Sequence, residues 1–228
     1  MAEDIVALLP LKAHSERIPG KNFRELAGKP LVRWILDTLI ELPEISAVVI
    51  NTDAVQHLEE LGVTNLPKVQ IRQRAASLCG DMVSMNRIIE DDLNATDAVD
   101  YLMTHTTNPL LSAGTVRAAI ERYRGSARAD SLFTVNRQQT RFYREDGSAV
   151  NHDPDNLIRT QDLEPWFEEN SCLYLFSKAS FAATGARIGA HPVMFETPPL
   201  ESVDIDEGDD WYMAEALLEK RNREAGVR

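Results

Sequence analysis

The sequence lacks the features that mark several common classes of protein. Its two cysteines, Cys79 and Cys172, form no CxxC pair, which argues against a disulfide framework and a typical zinc or redox motif. Glycine and proline, at 11 each, are too few for a fibrous or disordered chain. No stretch approaches the roughly 18 apolar residues of a membrane span, and the acidic residues 1–4 lack the basic region of a signal peptide. We therefore expect a globular, cytoplasmic protein that does not bind membranes.

Positive charge is also scarce. The chain has 24 Lys and Arg residues against 36 Asp and Glu residues, a net charge of −12. This balance argues against nucleic acid and anionic membranes as partners. A small anionic ligand can still bind where the few cations are gathered. The 43% of hydrophobic residues are enough for the core of one domain, and we predict a single domain over residues 1–228.

Short apolar runs alternate with segments of helical periodicity along most of the chain. This rhythm predicts a three-layer α/β domain with a mostly parallel sheet and helices on both faces. In such sheets the ligand lies at the carboxyl ends of the strands, so the loops that follow them are the places to search. The predicted strands lie at residues 5–9, 47–50, 69–71, 101–104, 131–135, 172–176 and 191–196.

The rhythm is interrupted over residues 137–170, which are polar and rich in turn-forming residues. Residues 145–148 are typical of a hairpin turn. A long inserted segment of this kind is usually a lid or an interface. Trp166 and Phe167 either form a dimer contact or pack within the insertion, and the sequence leaves both interpretations open.

The first predicted strand is followed by a cluster of cations in residues 12–22. Lys12, Arg17 and Lys21 stand within ten residues of an otherwise acidic chain. Backbone N–H groups with Lys and Arg nearby suit a triphosphate, although a solvated surface loop has the same composition. Neither GxxxxGK[ST] nor GxGxxG occurs, which argues against the ordinary ATPase, kinase and dinucleotide-binding classes.

Two carboxylates lie close to the end of the chain, at Asp204 and Asp206. Residues two apart in an extended segment face the same side, so this pair is suited to Mg²⁺, which prefers hard oxygen ligands. The alternative is helix capping, in which Asp206 and Asp209 begin the last helix.

Several motifs in collinear order resemble those of the acylneuraminate cytidylyltransferases, a family related to the CMP-Kdo synthetases. The first-loop match consists of Ser15, residues 17–19 and residues 21–22. The other matches are GKPL at 28–31, NTD at 51–53, RAASLCGD at 74–81, HTTNPL at 105–110, RTQDL at 159–163 with Asn170, and SVDID at 202–206.

The resemblance implies a Rossmann-like fold of the nucleotide-diphospho-sugar transferase type. It also implies a homodimer formed through residues 137–170. The reaction would join CTP to an acidic 2-keto sugar, giving a CMP-sugar and pyrophosphate, with Mg²⁺ as cofactor. Sialic acids, legionaminate, pseudaminate and eight-carbon acids all remain open as the sugar.

The resemblance also implies roles for individual residues. The catalytic group is Lys21, Arg17, Asp204 and Asp206, of which the two aspartates would bind the metal. The nucleotide would be bound by Lys12, Ser15, Arg17, Lys21, Asn22, Arg74 and Ser84. The sugar would be bound by His105, Thr107, Arg159, Gln161 and Asn170.

The chain departs from the family pattern at several positions. Lys12 replaces an Arg, residues 13–14 replace two glycines, Glu16 replaces a Lys, His105 replaces a Gln and Ser171 replaces a Gly. These changes keep two other hypotheses open. One is a nucleotidyltransferase with another base or sugar, and the other is a non-catalytic homologue. The presence of Lys21, Asp204 and Asp206 counts against the latter.

Overall fold

The computed structural model of the protein describes residues 4–224 and 226. The strands are β1 Ile5–Leu8, β2 Glu25–Leu26, β3 Lys29–Pro30, β4 Ile45–Thr52, β5 Val69–Gln73, β6 Asp100–Thr104, β7 Ser131–Gln138, β8 Trp166–Ser177 and β9 Pro192–Glu196. The helices are α1 Leu31–Glu41, α2 Val55–Glu60, α3 Met85–Ala95, α4 Ala113–Arg124, α5 Lys178–Thr184 and α6 Gly208–Glu224.

Seven of these strands form one sheet in the order β5-β4-β1-β6-β8-β7-β9. All neighbours in it pair in parallel except β8, which runs antiparallel to both β6 and β7. The predicted α/β fold with a mostly parallel sheet is therefore confirmed. The short strands β2 and β3 form a separate hairpin directly after the first loop.

Alternate residues of the central strands build an apolar layer on each face of the sheet. In β1, Ile5 and Ala7 pack with α1, α2 and α4, whereas Val6 and Leu8 pack with α3 and α5. This alternation follows from the pleat of a strand, which turns successive side chains to opposite faces. The result is the predicted three-layer arrangement.

A third apolar cluster joins the last helix to the first loop. Trp211 of α6 and Ile205 are buried together with Ile18 and Trp34. The indole nitrogen of Trp34 donates to the carbonyl oxygen of Leu26 at 3.0 Å. This packing brings two distant parts of the chain together, the segment that follows β1 and the segment that precedes α6.

The predicted insertion at 137–170 overlaps the central sheet at both of its ends. Residues 137–138 belong to β7 and residues 166–170 belong to β8. Between them, a bridge pairs Tyr143 with Ala149, as expected for the predicted hairpin turn. Trp166 stacks on Phe142 with the ring centroids 5.4 Å apart, so it packs within the segment, although 42% of its surface is exposed.

Strand β8 contains a wide irregularity in its pairing with β7. Val135 pairs with Glu169 but Phe133 pairs with Tyr174, so several residues of β8 stand without direct partners in β7. Ser171, in this stretch, has a φ of +57°, which is the left-handed region that favours glycine. The family pattern has Gly at this position, and the structure explains why.

The two cysteines lie in different environments. Cys172 is buried in the core, and burial raises the pKa of its thiol to about 12. Cys79 is partly exposed and follows the 3₁₀ turn Ala76–Leu78.

The prediction that the chain has no signal peptide depends largely on residues 1–3, which lie outside the described residues. Across the described ranges, no helix is long and apolar enough to cross a membrane.

Candidate active site

A cavity of about 390 Å³ opens at the carboxyl ends of β1 and β6, where the sequence rhythm predicts a ligand site. Its wall is formed by the first loop, by the residues that follow β6, and by parts of the segment between β5 and α3. The predicted site residues that line it are Lys12, Ser15, Arg17, Lys21, Asn22, Arg74, His105, Thr107 and Asp206.

Arg74 is fixed at the inner end of this cavity by buried hydrogen bonds. Its Nη2 donates to the carbonyl oxygens of Leu11 at 3.0 Å and Asn51 at 2.7 Å, and its Nε donates to Asn51 Oδ1 at 3.0 Å. Burial lowers the pKa of the guanidinium from its usual value. Arg74 therefore ties the chain after β1 to the end of β4 as well as lining the cavity.

Asn22 stabilises the first loop in a similar way. Its side-chain amide donates to the carbonyl oxygen of Lys12 at 3.0 Å and accepts from the hydroxyl of Thr106 at 2.6 Å. Gly20, with a φ of +66°, turns the chain into the short 3₁₀ helix Lys21–Phe23 that carries Asn22. The loop is thus anchored to the chain that follows β6.

The two residues that replace glycines, Ala13 and His14, do not strain this loop. Neither has a positive φ; among the described residues, the non-glycine residues that do are Ala27, Lys68 and Ser171. The amide of Ala13 donates to Asp53 Oδ1 at 2.7 Å, which holds the loop to the end of β4. This departure from the family pattern therefore leaves the backbone unstrained.

A buried acid that the sequence analysis missed lies behind Arg74. Asp92 of α3 is 1% exposed and accepts from Asn51 Nδ2 at 2.7 Å and from Arg72. Burial raises the pKa of Asp92 to about 6. Its second carboxylate oxygen has no hydrogen-bond partner among the described residues. The polar end of β4, residues 51–53, was the available signal for this network.

The opposite end of the cavity carries the exposed charges of Arg17 and Asp206 beside the largely buried Lys21. Arg17 pairs with Asp206 at 3.3 Å and with Glu207 at 3.3 Å. Lys21 Nζ donates to the carbonyl oxygen of Ile205 at 2.6 Å and lies 3.6 Å from Asp206 Oδ1. The cations of the first loop therefore meet the acidic segment before α6, because the third apolar cluster packs these two segments against each other.

The third first-loop cation faces the other rim of the cavity. Lys12 donates a hydrogen bond to Asp81, and this bond lowers the pKa of the Asp81 carboxyl. The sequence motif included Asp81 but assigned it no role. The first loop is thereby linked to the residues that precede α3.

Asp204 and Asp206 are close in space but unequal. Burial raises the pKa of Asp204, and one of its carboxylate oxygens has no hydrogen-bond partner within the described chain. Asp206 is exposed over 54% of its side chain. Across residues 4–224 and 226, no group of three or more His, Cys, Asp or Glu side chains is arranged for a metal.

The alternative in which Asp206 and Asp209 begin the last helix named the wrong capping carboxylate. The backbone N–H groups of Asp206 and Glu207 donate to Asp210 Oδ2 at 3.0 and 2.7 Å, so Asp210 caps α6 instead of Asp209. Asp210 lies inside the helix at a position where its carboxylate can reach back to both groups. The carboxylates of Asp204 and Asp206 are consequently not used for capping.

His105 lies between charges of both signs at the floor of the cavity. Burial lowers the pKa of its imidazole to about 4, and the positive charges of Arg187 and Lys21 act in the same direction, against Asp206. The ring is therefore neutral near pH 7 and can act as a hydrogen-bonding group but not as a cation.

Besides Asp204, four of the predicted site residues do not line this cavity. Ser84 precedes α3 and lines a second, adjoining cavity. Arg159 is 72% exposed and pairs with Asp162 at 2.7 Å. Gln161 neighbours this pair, and its carbonyl oxygen accepts from Gln139 at 3.2 Å.

The fourth residue, Asn170, is buried in the irregular part of β8. Its amide donates to Asn136 Oδ1 at 2.9 Å and to Thr197 Oγ1 at 2.6 Å. In the single chain it therefore stabilises the sheet where the pairing of β7 and β8 is broken.

A cavity at the carboxyl edge of a mostly parallel sheet, with loop cations facing a carboxylate pair, is the arrangement of α/β proteins that bind nucleotides at this edge. The family model for cytidylyltransferases matches residues 6–220. The chain therefore belongs to the cytidylyltransferase family, and the resemblance found in the sequence motifs is confirmed.

Two curated relatives differ in the share of their length that this chain covers. N-acylneuraminate cytidylyltransferase of Oncorhynchus mykiss is 28% identical over 218 residues, which is 92% of this chain and 49% of that protein. CMP-N,N'-diacetyllegionaminic acid synthase of Legionella pneumophila is 28% identical over 236 residues, covering 98% of this chain and 99% of that protein. The chain thus spans about half the length of the first and nearly all of the second.

Solved structures confirm the fold. CMP:2-keto-3-deoxy-manno-octonic acid synthetase in complex with CTP superposes with a TM-score of 0.67 at 12% identity, covering 96% of this chain and 99% of that one. The 4-diphosphocytidyl-2C-methyl-D-erythritol synthase of Anaerococcus prevotii gives 0.69 at 12% identity, covering 95% and 96%.

Proposed function

We propose that the protein transfers the cytidylyl group of CTP to an acidic 2-keto sugar and releases pyrophosphate. The observation that carries this proposal is the meeting of Lys21 and Arg17 with Asp206 at one end of the cavity. Family membership and the full-length similarity to a legionaminic acid synthase support the choice of nucleotide and sugar class.

In this reaction the anomeric hydroxyl oxygen of the sugar forms a bond to the α-phosphorus of CTP. The bond from phosphorus to the β-phosphate oxygen breaks, pyrophosphate leaves, and the proton of the hydroxyl is released to solvent. Negative charge increases on the leaving group, so fixed cations beside it lower the barrier. Lys12, Arg17 and Lys21 line the cavity and would bind the triphosphate together with Ser15.

Asp204 and Asp206 would hold Mg²⁺. The unpartnered buried oxygen of Asp204 beside the exposed carboxylate of Asp206 gives hard oxygen donors of the kind this ion prefers. When bound, the ion would neutralise charge on the phosphates and so promote the displacement. Lys21 lies beside this pair and would keep the phosphates aligned with it.

The base and ribose would occupy the inner end of the cavity, beside Asn22 and Arg74. Both side chains are held by hydrogen bonds to the backbone, which suits recognition of a rigid group. His105 and Thr107 line the same cavity beyond this point and would contact the sugar.

A pyrophosphate-release assay tests the function. Each nucleoside triphosphate would be offered with each member of a panel of acidic sugars in the presence of Mg²⁺. Reactions without sugar would serve as the blank. We expect sugar-dependent release with CTP far above that with ATP, GTP or UTP. Release without preference for CTP, or without dependence on an acidic sugar, would refute the proposal.

The protein also acts as a homodimer in this proposal, with residues 137–170 at the interface. Several large apolar side chains there are exposed, namely Tyr143, Leu157, Ile158, Trp166 and Phe167. An isolated hairpin is marginal in water and gains stability by packing on a twin. Arg159 and Gln161 would then contribute to the sugar site of the partner subunit.

Light scattering and complementation test the dimer. A particle of 25.6 kDa at micromolar concentration would refute it. If sites are shared, an inactive Asp206 variant mixed with an inactive Arg159 variant regains activity, because one site in the mixed dimer has both residues. No recovery after confirmed subunit exchange would place Arg159 outside the partner's site.

We also place the protein in the cytoplasm. Both of its cysteines are free thiols, as expected in a reducing compartment.

A further inference from the structure

A second cavity, of about 300 Å³, adjoins the candidate active site. Met85 lines both cavities, so they meet at the start of α3. The sequence motifs placed only Ser84 in this region and assigned nothing on its far side. The residues that line it are Ser84, Met85, Asn86, Glu169, Ala186, Arg187 and Ile188.

Arg187 is the cation of this second cavity, and it is held rigidly. Its guanidinium lies over the ring of Tyr174, with its central carbon 3.7 Å from the ring centroid. Its Nη2 donates to the Tyr174 hydroxyl at 2.8 Å and forms an ion pair with Glu169 Oε1 at 3.4 Å. Only 20% of the Arg187 side chain is exposed. A partly desolvated, stacked guanidinium is a strong and geometrically specific ligand for an anion.

Arg187 retains donors for such an anion. Among the described residues, Nη1 donates only to the sulfur of Met103, at 3.7 Å, and Nη2 is the one nitrogen that donates to oxygen. The irregular stretch of β8 creates this arrangement, because it carries Glu169 and Tyr174 to the same side as Arg187.

Arg187 also lies close to the main cavity, because its Nη1 is 3.7 Å from the sulfur of Met103, two residues before the cavity-lining His105. The charges of Arg187, Lys21 and Asp206 all act on His105, which lines the main cavity. Arg187 and Lys21 therefore both contribute positive charge at the imidazole of His105.

The chemistry of the sugar dictates where its carboxylate must lie. In a 2-keto acid sugar, the carboxylate and the attacking hydroxyl are attached to the same carbon atom. The carboxylate must therefore lie within a few ångströms of the α-phosphorus, next to the Lys21 and Asp206 side chains. Arg159 is paired with Asp162 on the surface and does not line either cavity of this chain.

The other cations that this chain itself places near the site are committed elsewhere. Lys12, Arg17 and Lys21 face the triphosphate in the proposed function, and Arg74 is bonded to the backbone. We propose that Arg187 binds the carboxylate of the acidic sugar, with His105 as a second donor. This inference rests on the proposed function and names the residue that recognises its second substrate.

The test compares Arg187→Met and Arg187→Lys with Arg117→Met. Arg117 pairs with Glu44 and lines neither cavity, so it is a matched control for removing a partly buried arginine. Steady-state kinetics would use CTP and the best substrate among N-acetylneuraminate, N,N'-diacetyllegionaminate and 3-deoxy-manno-octulosonate. The C1 carboxamide of the same sugar would be measured beside it.

We expect Arg187→Met to raise the KM for the acid by about tenfold to a hundredfold, the effect of losing a hydrogen bond to a charged group. The KM for CTP should change less than about twofold in this variant, since the phosphate cations are untouched. Arg187→Lys should recover part of the affinity, because lysine keeps the positive charge. The recovery should be incomplete, since lysine lacks the bidentate donor geometry of the guanidinium.

The carboxamide separates recognition from a structural effect. If Arg187 recognises the carboxylate, Arg187→Met loses the preference for the acid over the carboxamide. An equal loss for acid and carboxamide, or an unchanged KM for the acid, would overturn the inference while the proposed function stands. No CTP-dependent turnover of any acidic sugar by the wild-type protein would overturn the proposed function, and the assignment of Arg187 with it.

Discussion

The two ends of the main cavity hold their charged and polar groups in opposite ways. At the inner end, Arg74 and Asn22 are each 7% exposed, and both donate hydrogen bonds to backbone carbonyls. At the outer end, Arg17 and Asp206 are 56% and 54% exposed, and their ion pair has a separation of 3.3 Å. The first arrangement is part of the fold, whereas the second is a surface contact.

This difference suits the two ends to different tasks. Buried, hydrogen-bonded groups keep their positions before and after a ligand binds, which favours recognition by shape. An exposed ion pair contributes about 0–1 kcal/mol, so either partner can exchange it for a better one. A triphosphate would take Arg17 and Lys21 from Asp206 and release that carboxylate for a cation.

The outer end should carry the largest effect on the rate. We expect Asp206→Ala to lower kcat by roughly a hundredfold to a ten-thousandfold, because charge stabilisation in phosphoryl transfer accounts for several kcal/mol. The thermal melting curve should barely move, since Asp206 is more than half exposed. Asp209→Ala is the control from the same acidic run. Turnover near the wild-type rate at saturating Mg²⁺ would remove Asp206 from the site.

The second-largest effect should come from Lys21, on both substrate binding and the rate. Lys21→Ala removes a cation that is 11% exposed and lies 3.6 Å from Asp206. We expect kcat/KM for CTP to decrease by about a hundredfold, which is the loss of a hydrogen bond to a charged group. Lys178→Ala, whose Nζ donates to the carbonyl oxygen of Thr96 away from the cavity, is the control. Equal effects of the two variants would mean that the first loop is only surface.

A substitution at the inner end should instead lower the stability of the protein. Asn51→Ala removes the partner that Arg74 Nε and Asp92 share. We expect the free energy of unfolding to decrease by about 2 kcal/mol, because buried polar groups lose their partner. The KM for CTP should rise while kcat changes less, in contrast to Asp206→Ala. Asn65→Ala, at an exposed position, is the control, and denaturation in urea is the measurement.

The smallest effect concerns pH. The pKa of Asp92 is about 6 in the folded protein against an ordinary value of 3.8, so the folded state binds the extra proton between these values. The stabilisation from the protonated carboxyl is therefore complete below about pH 4 and is lost as the pH rises through 6. We expect Asp92 to contribute about 1 kcal/mol more to stability at pH 5 than at pH 7. The difference in unfolding free energy between wild type and Asp92→Asn should follow this curve, and parallel curves would contradict it.

The sequence predicted the layers of the fold but not the direction of every strand. Apolar runs that alternate with helices indicate a mostly parallel sheet, and they mark where strands lie. They contain no signal for the antiparallel β8, because strand direction depends on the connections across the sheet. The hairpin of β2 and β3 was also missed, since each of its strands has only two residues.

The residues of the candidate site that form short local patterns were predicted from the sequence. Those whose position depends on tertiary contacts were missed. The cations of residues 12–22 and the aspartates at 204 and 206 stand out as local patterns. Arg187, Asp92 and Asp210 do not, because their roles depend on neighbours that are distant in the sequence or on the local turn of a helix. The buried hydrogen bonds of Arg74 were hidden for the same reason.

The unequal environments of the two cysteines have a practical consequence. Thiolate is the reactive form, so Cys172, with a pKa of about 12 and no exposure, should resist alkylation in the folded protein. Cys79 is partly exposed and directly precedes Gly80, which lines the main cavity. A maleimide fluorophore should therefore attach at Cys79 alone, giving the wild-type chain a ready optical reporter of nucleotide entry at the rim of the cavity.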